Sequence, residues 1–174
     1  SRGAEGKIMC IKHARENNLP YLGLCFGFQM AVIEFARNVC SLSSANTTEI
    51  VKDCSQPVID LLPEQQCIEE LGGNMRLGGH DVEIKPSSKA AELYGSTLVR
   101  ERFRHRWECN PSYIQILEEN GLVFSGKAPG REIMQILELP EKKFFVGTQF
   151  HPEYCSKPLT PHPLYMGFLK AVLS

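Results

Sequence analysis

The sequence predicts an α/β fold, because helical stripes alternate along the chain with short apolar runs typical of strands. The run Phe144–Phe150 has the strongest strand character, and a shorter run, Tyr21–Leu24, leads directly into an apolar helix. The chain has 174 residues, of which 43% are hydrophobic and 22% charged, and this suits one globular domain with a buried core. We therefore expect a single domain over residues 1–174.

The elements follow from apolar spacing and from the turn residues that bound each segment. The predicted helices are Glu5–Asn18, Gly27–Asn38, Ser87–Tyr94, Pro111–Asn120 and Tyr165–Leu173. The predicted strands are Tyr21–Leu24, Val58–Leu62, Val82–Lys85, Leu122–Ser125, Glu132–Leu139 and Phe144–Phe150. Residues 40–57 are polar and Leu71–His80 is rich in glycine, so we expect turns in both.

Composition excludes several classes of function. Nineteen basic against twenty acidic residues leave a formal charge of −1, so neither nucleic acid nor an anionic membrane is expected as a partner. Seven cysteines without a C-x-x-C pair disfavour a disulfide framework and a zinc site, and indicate a reducing cytoplasm with no bound metal. The apolar stretch Leu19–Ala36 is interrupted by Pro20, Gln29 and Glu34, which favours a strand and a buried helix over a membrane span.

A candidate nucleophile lies in the segment YLGLCFGFQMA. Gly23 and Gly27 flank Cys25 in the pattern G-x-C-x-G, the sulfur version of the elbow that turns a strand sharply into a helix. We expect glycine to be needed on both sides, because flanking side chains would collide in so tight a turn. The positive end of the following helix and a nearby histidine are expected to favour the thiolate form.

A candidate base follows the strongest strand. His151 and Glu153 form an H-x-E turn, and Pro152 between them restricts its backbone. A carboxylate that accepts the imidazole proton holds the tautomer whose other nitrogen can face a sulfur. The sequence thus predicts a triad of Cys25, His151 and Glu153, provided that the fold brings the two distant segments together.

Each piece alone has an ordinary structural explanation, and the prediction depends on their combination. The remaining histidines and cysteines lack such a context, and we assign them structural or surface roles. They are His13, His80, His105, His162, Cys10, Cys40, Cys54, Cys67, Cys109 and Cys155.

The motifs resemble those of the class I glutamine amidotransferases, in which a cysteine releases ammonia from glutamine. G-L-C-F-G-F-Q with a late H-P-E carries this resemblance, and further motifs narrow it to the glutaminase domains of CTP synthases. These motifs are RGAEGK, VIEFARN, ANTTE, LGGNMRLG, RFRHRWECNP and GTQFHPEY, spread over almost the entire chain. The resemblance implies a flavodoxin-like architecture with a central, mostly parallel sheet flanked by helices.

The resemblance also implies roles for residues around bound L-glutamine. Glu49 matches the glutamate that holds the α-amino group, and Arg106 matches the arginine that binds the α-carboxylate with its planar fork. Gln29 matches the elbow glutamine that helps to fix the substrate. The backbone N–H of Phe26 matches one donor of the oxyanion hole.

The same resemblance implies partners outside this segment. A synthase domain on the same chain would use the ammonia to convert UTP to CTP with ATP and Mg²⁺, in a homotetramer activated by GTP. The segments containing Arg2, Gly3, Glu5 and Arg76 match those near the GTP effector. Guanidinium groups beside glycines suit phosphates and purine edges.

The chain departs from the family pattern in a few places. It starts at Ser1, so we expect it to lack the upstream strands and the glycine turn with the second oxyanion donor. Phe26 and Phe28 replace the usual leucine and methionine, and we expect their rings to crowd the pocket wall. Phe103, Trp107 and Asn74 are further replacements, none of them in the triad.

Two other interpretations remain open from the sequence. The chain could be the glutaminase of another ligase such as GMP synthetase, although the RHR-x-E and MRLG segments argue against this. It could also be a non-catalytic regulatory domain of the same fold. The retention of Cys25, His151 and Glu153 argues for an enzyme.

Overall fold

The computed structural model describes residues 3–62 and 75–174. Its helices are α1 (Ala4–Glu16), α2 (Phe26–Asn38), α3 (Lys89–Tyr94), α4 (Ile114–Glu119) and α5 (Pro163–Leu173). Its strands are β1 (Tyr21–Leu24), β2 (Ala45–Thr47), β3 (Gln56–Asp60), β4 (Arg76–Ile84), β5 (Leu98–His105), β6 (Glu108–Cys109), β7 (Val123–Lys127), β8 (Met134–Glu138) and β9 (Phe145–Thr148). Short 3₁₀ turns occupy Pro111–Tyr113 and Pro152–Tyr154.

Within residues 3–62 and 75–174, six strands form the main sheet, in the order β1-β9-β8-β7-β4-β5. The α/β class is confirmed, but the expectation of a mostly parallel sheet is wrong for the described residues. Only β1 and β9 run parallel in this part of the sheet, and the other four pairings are antiparallel. The physical reason is connectivity: β7, β8 and β9 follow one another through short loops, which join antiparallel neighbours and cannot provide a parallel crossover. A second sheet has the order β2-β3-β6.

The sequence predicted most of the apolar elements and missed the polar ones. The turn expected over Leu71–His80 is wrong from Arg76 onward, where β4 begins, and its first four residues lie outside the described ranges. β5 was not predicted from the sequence. Its buried side chains include Glu101 and His105, so the strand does not show the alternation of apolar and polar residues that predicts a strand. The short strands β2 and β6 were also missed.

Both faces of the main sheet are covered. One core contains α1, α2 and side chains such as Phe145, and the other contains α3, α5 and side chains such as Val146. Because neighbouring residues of a strand point to opposite faces, the sheet lies between two helical layers. Helix α2 is buried from Phe28 to Ala36, as its uninterrupted apolar pattern predicted, and so provides a rigid support for the residue before it.

Three negative observations apply to the described residues. None of their helices is long and apolar enough to cross a membrane. They contain no cluster of three or more side chains suited to a metal ion. Their six cysteines are free thiols, and the seventh, Cys67, lies outside the described ranges.

Candidate active site

Cys25 occupies a strained turn between β1 and α2. Its φ of 49° and ψ of −99° lie in a region that residues with a side chain rarely adopt. The Cys25 N–H donates to the carbonyl of Thr148 at 2.7 Å, and the Cys25 carbonyl accepts from Gln29 N–H at 3.2 Å. The first bond fixes the turn to the end of β9 and the second begins helix α2, so the fold itself supports the strain.

The two flanking glycines serve different needs. The phenol of Tyr21 folds back over the turn and donates to the carbonyl of Gly27 at 3.0 Å. A Cβ at Gly23 would collide with this phenol ring, lying 2.7 Å from its Cζ. A Cβ at Gly27 would lie 3.4 Å from the Tyr21 hydroxyl, which is an ordinary contact. The expected crowding therefore holds at Gly23, through Tyr21, but is not observed at Gly27.

The surroundings of Cys25 have opposing effects on the pKa of its thiol. Burial raises the pKa of the Cys25 thiol to about 11, and the carboxylates of Glu153 and Glu49 act in the same direction. The backbone N–H of Phe26 and the side-chain amide of Gln149 lower this pKa without overcoming the effect of burial. The start of α2 thus favours the thiolate, as the sequence predicted, but burial outweighs this effect, and the thiol needs a base before it can react.

His151 and Glu153 lie in the turn that follows β9. The Nδ1 atom of His151 is 2.6 Å from Glu153 Oε1, and the imidazole stacks on the ring of Tyr154 at 5.2 Å. The backbone N–H of His151 donates to the Arg102 carbonyl of β5 at 2.9 Å. These contacts fix the ring and engage Nδ1, which makes Nε2 the nitrogen available for chemistry.

The parallel pairing of β1 with β9 brings the two halves of the predicted triad to one end of the sheet. Leu24 lies opposite Thr148, so Cys25 and His151 both follow the same ends of neighbouring strands. The carboxylate of Glu153 raises the pKa of the Cys25 thiol, so the two side chains interact electrostatically.

A cavity of about 400 Å³ opens beside the sulfur. It is lined by Cys25, Phe26, Gln29, Glu49, Met75, Arg104, His105, Arg106 and Trp107. The structure therefore brings all four residues predicted around the substrate to the cavity that contains Cys25. Sequence reasoning missed Met75, Arg104, His105 and Trp107 as lining residues.

Trp107 holds this cavity together. Its indole N–H donates to Thr48 Oγ1 at 3.2 Å, and its carbonyl accepts from Gln29 Nε2 at 2.8 Å. Thr48 precedes Glu49, and Arg106 precedes Trp107. These two bonds therefore link the segments that carry the carboxylate and the guanidinium to helix α2.

A buried ionic cluster lies behind the cavity. Arg76 Nε donates to Glu108 Oε1 at 2.9 Å, and His105 Nε2 lies 2.8 Å from the same oxygen. Glu108 is fully buried and Arg76 nearly so, at 12% side-chain exposure. Arg76 is thus held at the strand junction next to the cavity and does not extend freely into solvent.

Two of the other residues predicted near an effector, Gly3 and Glu5, lie at the start of α1. Gly3 is the N-cap of this helix, with a φ of 66°, and Glu5 accepts from Arg37 Nη1 at 2.8 Å. Arg2 lies outside the described residues. Within the described ranges, Glu5 and Arg76 are bound to different partners.

The phenylalanines that replace smaller family residues take different positions. Phe26 lines the cavity, whereas Phe28 is fully buried against Phe124, with ring centroids 6.5 Å apart. The expectation that both rings crowd the pocket wall is therefore wrong for Phe28. Phe103 packs in the core against Phe150 at 5.6 Å.

The comparison with protein families matches the model described as glutamine amidotransferase class-I to residues 1–171. The chain belongs to the class I glutamine amidotransferase family.

Within this family the chain is similar to CTP synthases. The chain is 57% identical over 173 residues to CTP synthase from Archaeoglobus fulgidus, covering 99% of this chain and 32% of that protein. It is 38% identical, with a TM-score of 0.93, to the solved CTPS glutaminase domain of Trypanosoma brucei with bound acivicin, covering 99% of this chain and 67% of that one. The predicted resemblance to CTP synthase glutaminase domains is confirmed.

A more distantly related solved structure resembles this chain in fold. A putative GMP synthase component from Thermoplasma acidophilum shares 14% identity and a TM-score of 0.59, over 97% of this chain and 65% of that one. This likeness shows the shared fold alone. It therefore does not favour the alternative interpretation of the chain as a GMP synthetase glutaminase.

Proposed function

We propose that this chain hydrolyses glutamine through a thioester on Cys25. The observation that carries the proposal is the position of Cys25, on a strained elbow facing a cavity that also contains a carboxylate, Glu49, and a guanidinium, Arg106. Free glutamine has an α-amino group, an α-carboxylate and a side-chain amide. A pocket with one anion, one cation and one nucleophile matches those three groups.

The geometry around the sulfur supports the following sequence of steps. His151 Nε2 removes the thiol proton, and the sulfur attacks the amide carbon of glutamine to form a tetrahedral oxyanion. The backbone N–H of Phe26, at the start of helix α2, stabilises that oxyanion. The imidazolium then returns the proton to the departing nitrogen, and ammonia leaves a γ-glutamyl thioester. Water, deprotonated by His151, hydrolyses the thioester to glutamate and the free thiol.

Glu153 acts through His151 in this proposal. Its carboxylate, 2.6 Å from Nδ1, orients the ring and stabilises the imidazolium that forms twice in each cycle. A thiol whose pKa is about 11 makes this assistance necessary, since little thiolate exists at neutral pH without it.

Substrate binding is assigned to three lining residues. Arg106 binds the α-carboxylate, Glu49 binds the α-amino group, and Gln29 contributes to the floor of the pocket. The T. brucei domain has been solved with acivicin, and we expect the same compound to occupy this cavity.

The chain spans about a third of the length of the curated relatives it matches. We propose that the full-length protein uses the ammonia in a synthase domain, where UTP is aminated to CTP with ATP and Mg²⁺. A cytoplasmic homotetramer is part of this proposal, and no cofactor is assigned to the glutaminase domain itself.

GTP activation is the finer part of the proposal, with Arg2, Gly3, Glu5 and Arg76 as candidate effector residues. Its support is the contact of Arg76 with Glu108, two residues from Arg106. An effector that moves Arg76 would therefore act next to the glutamine pocket.

The test is made on the full-length protein, by measuring CTP formation with either glutamine or ammonia as nitrogen source. Cys25→Ala should abolish the glutamine-dependent reaction and leave the ammonia-dependent reaction intact. An electrophilic glutamine analogue should label Cys25 in the wild type, as located by peptide mass mapping. Labelling of Cys40 or Cys109 in its place would contradict the proposal, and so would persistent glutamine-dependent synthesis in the variant.

GTP control is tested in the same assay. An unshifted GTP activation curve in Arg76→Ala would remove this residue from the effector site. Lost activation with normal ammonia-dependent synthesis would support its role.

A further inference from the structure

Two buried glutamine side chains connect the pocket wall to the nucleophile. Gln29 of α2 and Gln149, which follows β9, are 3% and 0% exposed. Gln29 Nε2 donates to the Trp107 carbonyl at 2.8 Å and to Gln149 Oε1 at 3.2 Å. Gln149 Nε2 then donates to Cys25 Sγ at 3.7 Å. We propose that Gln149 is a positioning residue for the nucleophile and that Gln29 fixes its orientation.

The orientation of both amides follows from the first acceptor. The carbonyl of Trp107 can only accept, so the NH₂ group of Gln29 must face it. The second N–H of that group reaches Gln149, which must present its oxygen there. The NH₂ group of Gln149 is therefore directed to the sulfur. The chain of bonds has one polarity, and reversal of either amide would oppose two donors or two acceptors.

An N–H group that faces sulfur favours the thiolate over the thiol. The neutral thiol is a weak acceptor, whereas a thiolate accepts strongly from an amide. Gln149 is thus matched to the form that Cys25 takes after His151 removes its proton. The same bond limits the positions of Sγ on its strained backbone, next to the pocket.

Burial makes the arrangement sensitive to substitution. Gln149 also has its backbone N–H bonded to the Gln135 carbonyl at 2.9 Å, which fixes the residue to β8. The bond from Gln29 holds the oxygen end of the Gln149 side-chain amide. Without Gln29 no such bond would fix the amide, and Gln149 could rotate away from the sulfur.

This inference deepens the proposed function. Of the measurements below, only those in the glutaminase assay depend on glutamine being the substrate. Alkylation of Cys25 by iodoacetamide needs no glutamine, so its pH dependence tests the position of Gln149 even if glutamine were not the substrate. The measurement is the rate of carbamidomethylation of Cys25 in the full-length protein between pH 7 and about 11, with the peptide identified by mass spectrometry.

Gln149→Met keeps the volume and removes the donor. We expect alkylation of Cys25 at pH 8 to slow about tenfold, which corresponds to about one unit in the thiol pKa. In the glutaminase assay kcat should fall by a similar factor, with KM for glutamine changed less than about twofold. The matched control is Gln135→Met, since Gln135 is an equally buried glutamine on the neighbouring strand. This control should leave the alkylation profile unchanged.

A second variant covers the case in which Gln149→Met fails to fold. Gln29→Met retains Gln149 and removes the group that orients it, so the alkylation profile should shift in the same direction. The double variant should shift it no further than Gln149→Met alone, because both changes remove the same contact. Wild-type profiles in the folded single variants would overturn the inference, as would an equal shift in Gln135→Met.

Discussion

Two of the histidine–glutamate pairs in the described residues have the same chemistry and different surroundings. His151 and Glu153 are 2.6 Å apart and remain partly open, with side-chain exposures of 19% and 43%. His162 and Glu101 are 2.8 Å apart and closed, with exposures of 3% each. The two distances are nearly equal. The pairs differ in exposure and in the contacts that the second ring nitrogen of each histidine makes.

In the closed pair both nitrogens are engaged. His162 Nδ1 accepts from the backbone N–H of Leu164 at 3.3 Å and caps helix α5, which leaves the proton on Nε2 to be donated to Glu101. Tyr94 also donates to Glu101, at 2.7 Å. In the open pair Nδ1 alone is engaged among the described residues. A partly exposed histidine with a free ring nitrogen can move a proton, whereas one with two fixed partners stabilises the fold.

The largest expected effect is on the open pair. His151→Ala should reduce glutamine hydrolysis by about a thousandfold, since the buried thiol loses its base. The melting temperature should change by less than about 3 °C, because the side chain is partly exposed. Steady-state kinetics and a thermal melt on the same preparation provide the two readouts. A loss of stability with retained turnover would reverse the assignment of the two pairs.

The closed pair should show the opposite pattern. Glu101→Gln keeps the shape and removes the charge that holds His162 and Tyr94, and should lower the free energy of unfolding by about 2–3 kcal/mol. Turnover should stay within about threefold. Urea denaturation measures the free energy of unfolding. Glu132→Gln is the control, because its pair with Lys127 is exposed and should contribute nothing measurable. Equal destabilisation in both variants would contradict the prediction.

The smallest expected effect is on stability at alkaline pH, and it concerns Tyr94, which donates to Glu101 of the closed pair. Burial, followed by the charge of Glu101, raises the pKa of Tyr94 well above its usual range. The unfolded chain releases this proton near pH 10, so the stabilising contribution of Tyr94 is present below that pH and is lost as the pH rises above it. Tyr94→Phe should therefore show a shallower loss of stability between about pH 9 and 11 than the wild type. Urea melts across this range test it, with the exposed Tyr154→Phe as control. Parallel curves for wild type and Tyr94→Phe would exclude the buried phenol as the source.

The sequence was informative where chemistry is encoded locally. Gly23, Cys25 and Gly27 lie within five consecutive positions, and His151 is two residues from Glu153, so each motif could be recognised without knowledge of the fold. The same holds for the apolar pattern of α2. These features depend on backbone geometry and periodicity, which short segments specify on their own.

The sequence was uninformative where function depends on partners far along the chain. Gln149 and Cys25 are 124 positions apart, and Gln29 and Trp107 are 78 apart. A buried glutamine has the same appearance in the sequence whether it contacts the nucleophile or, like Gln135, another part of the core. The strand directions failed for a related reason: pairing is a property of the assembled sheet, and polar strands such as β5 carry little apolar signal.

The pairing of β1 with β9 has a consequence for synthesis of the chain. Within the described residues β1 pairs with β9, and Cys25 is bonded through its own N–H to Thr148. A ribosome releases β1 long before β9 exists, and contacts of such long sequence separation form late in folding. During translation the cysteine therefore has neither its strained turn nor its base. The arrangement of Cys25 with His151 and Glu153 therefore forms only after β9 and the turn that follows it have been synthesised.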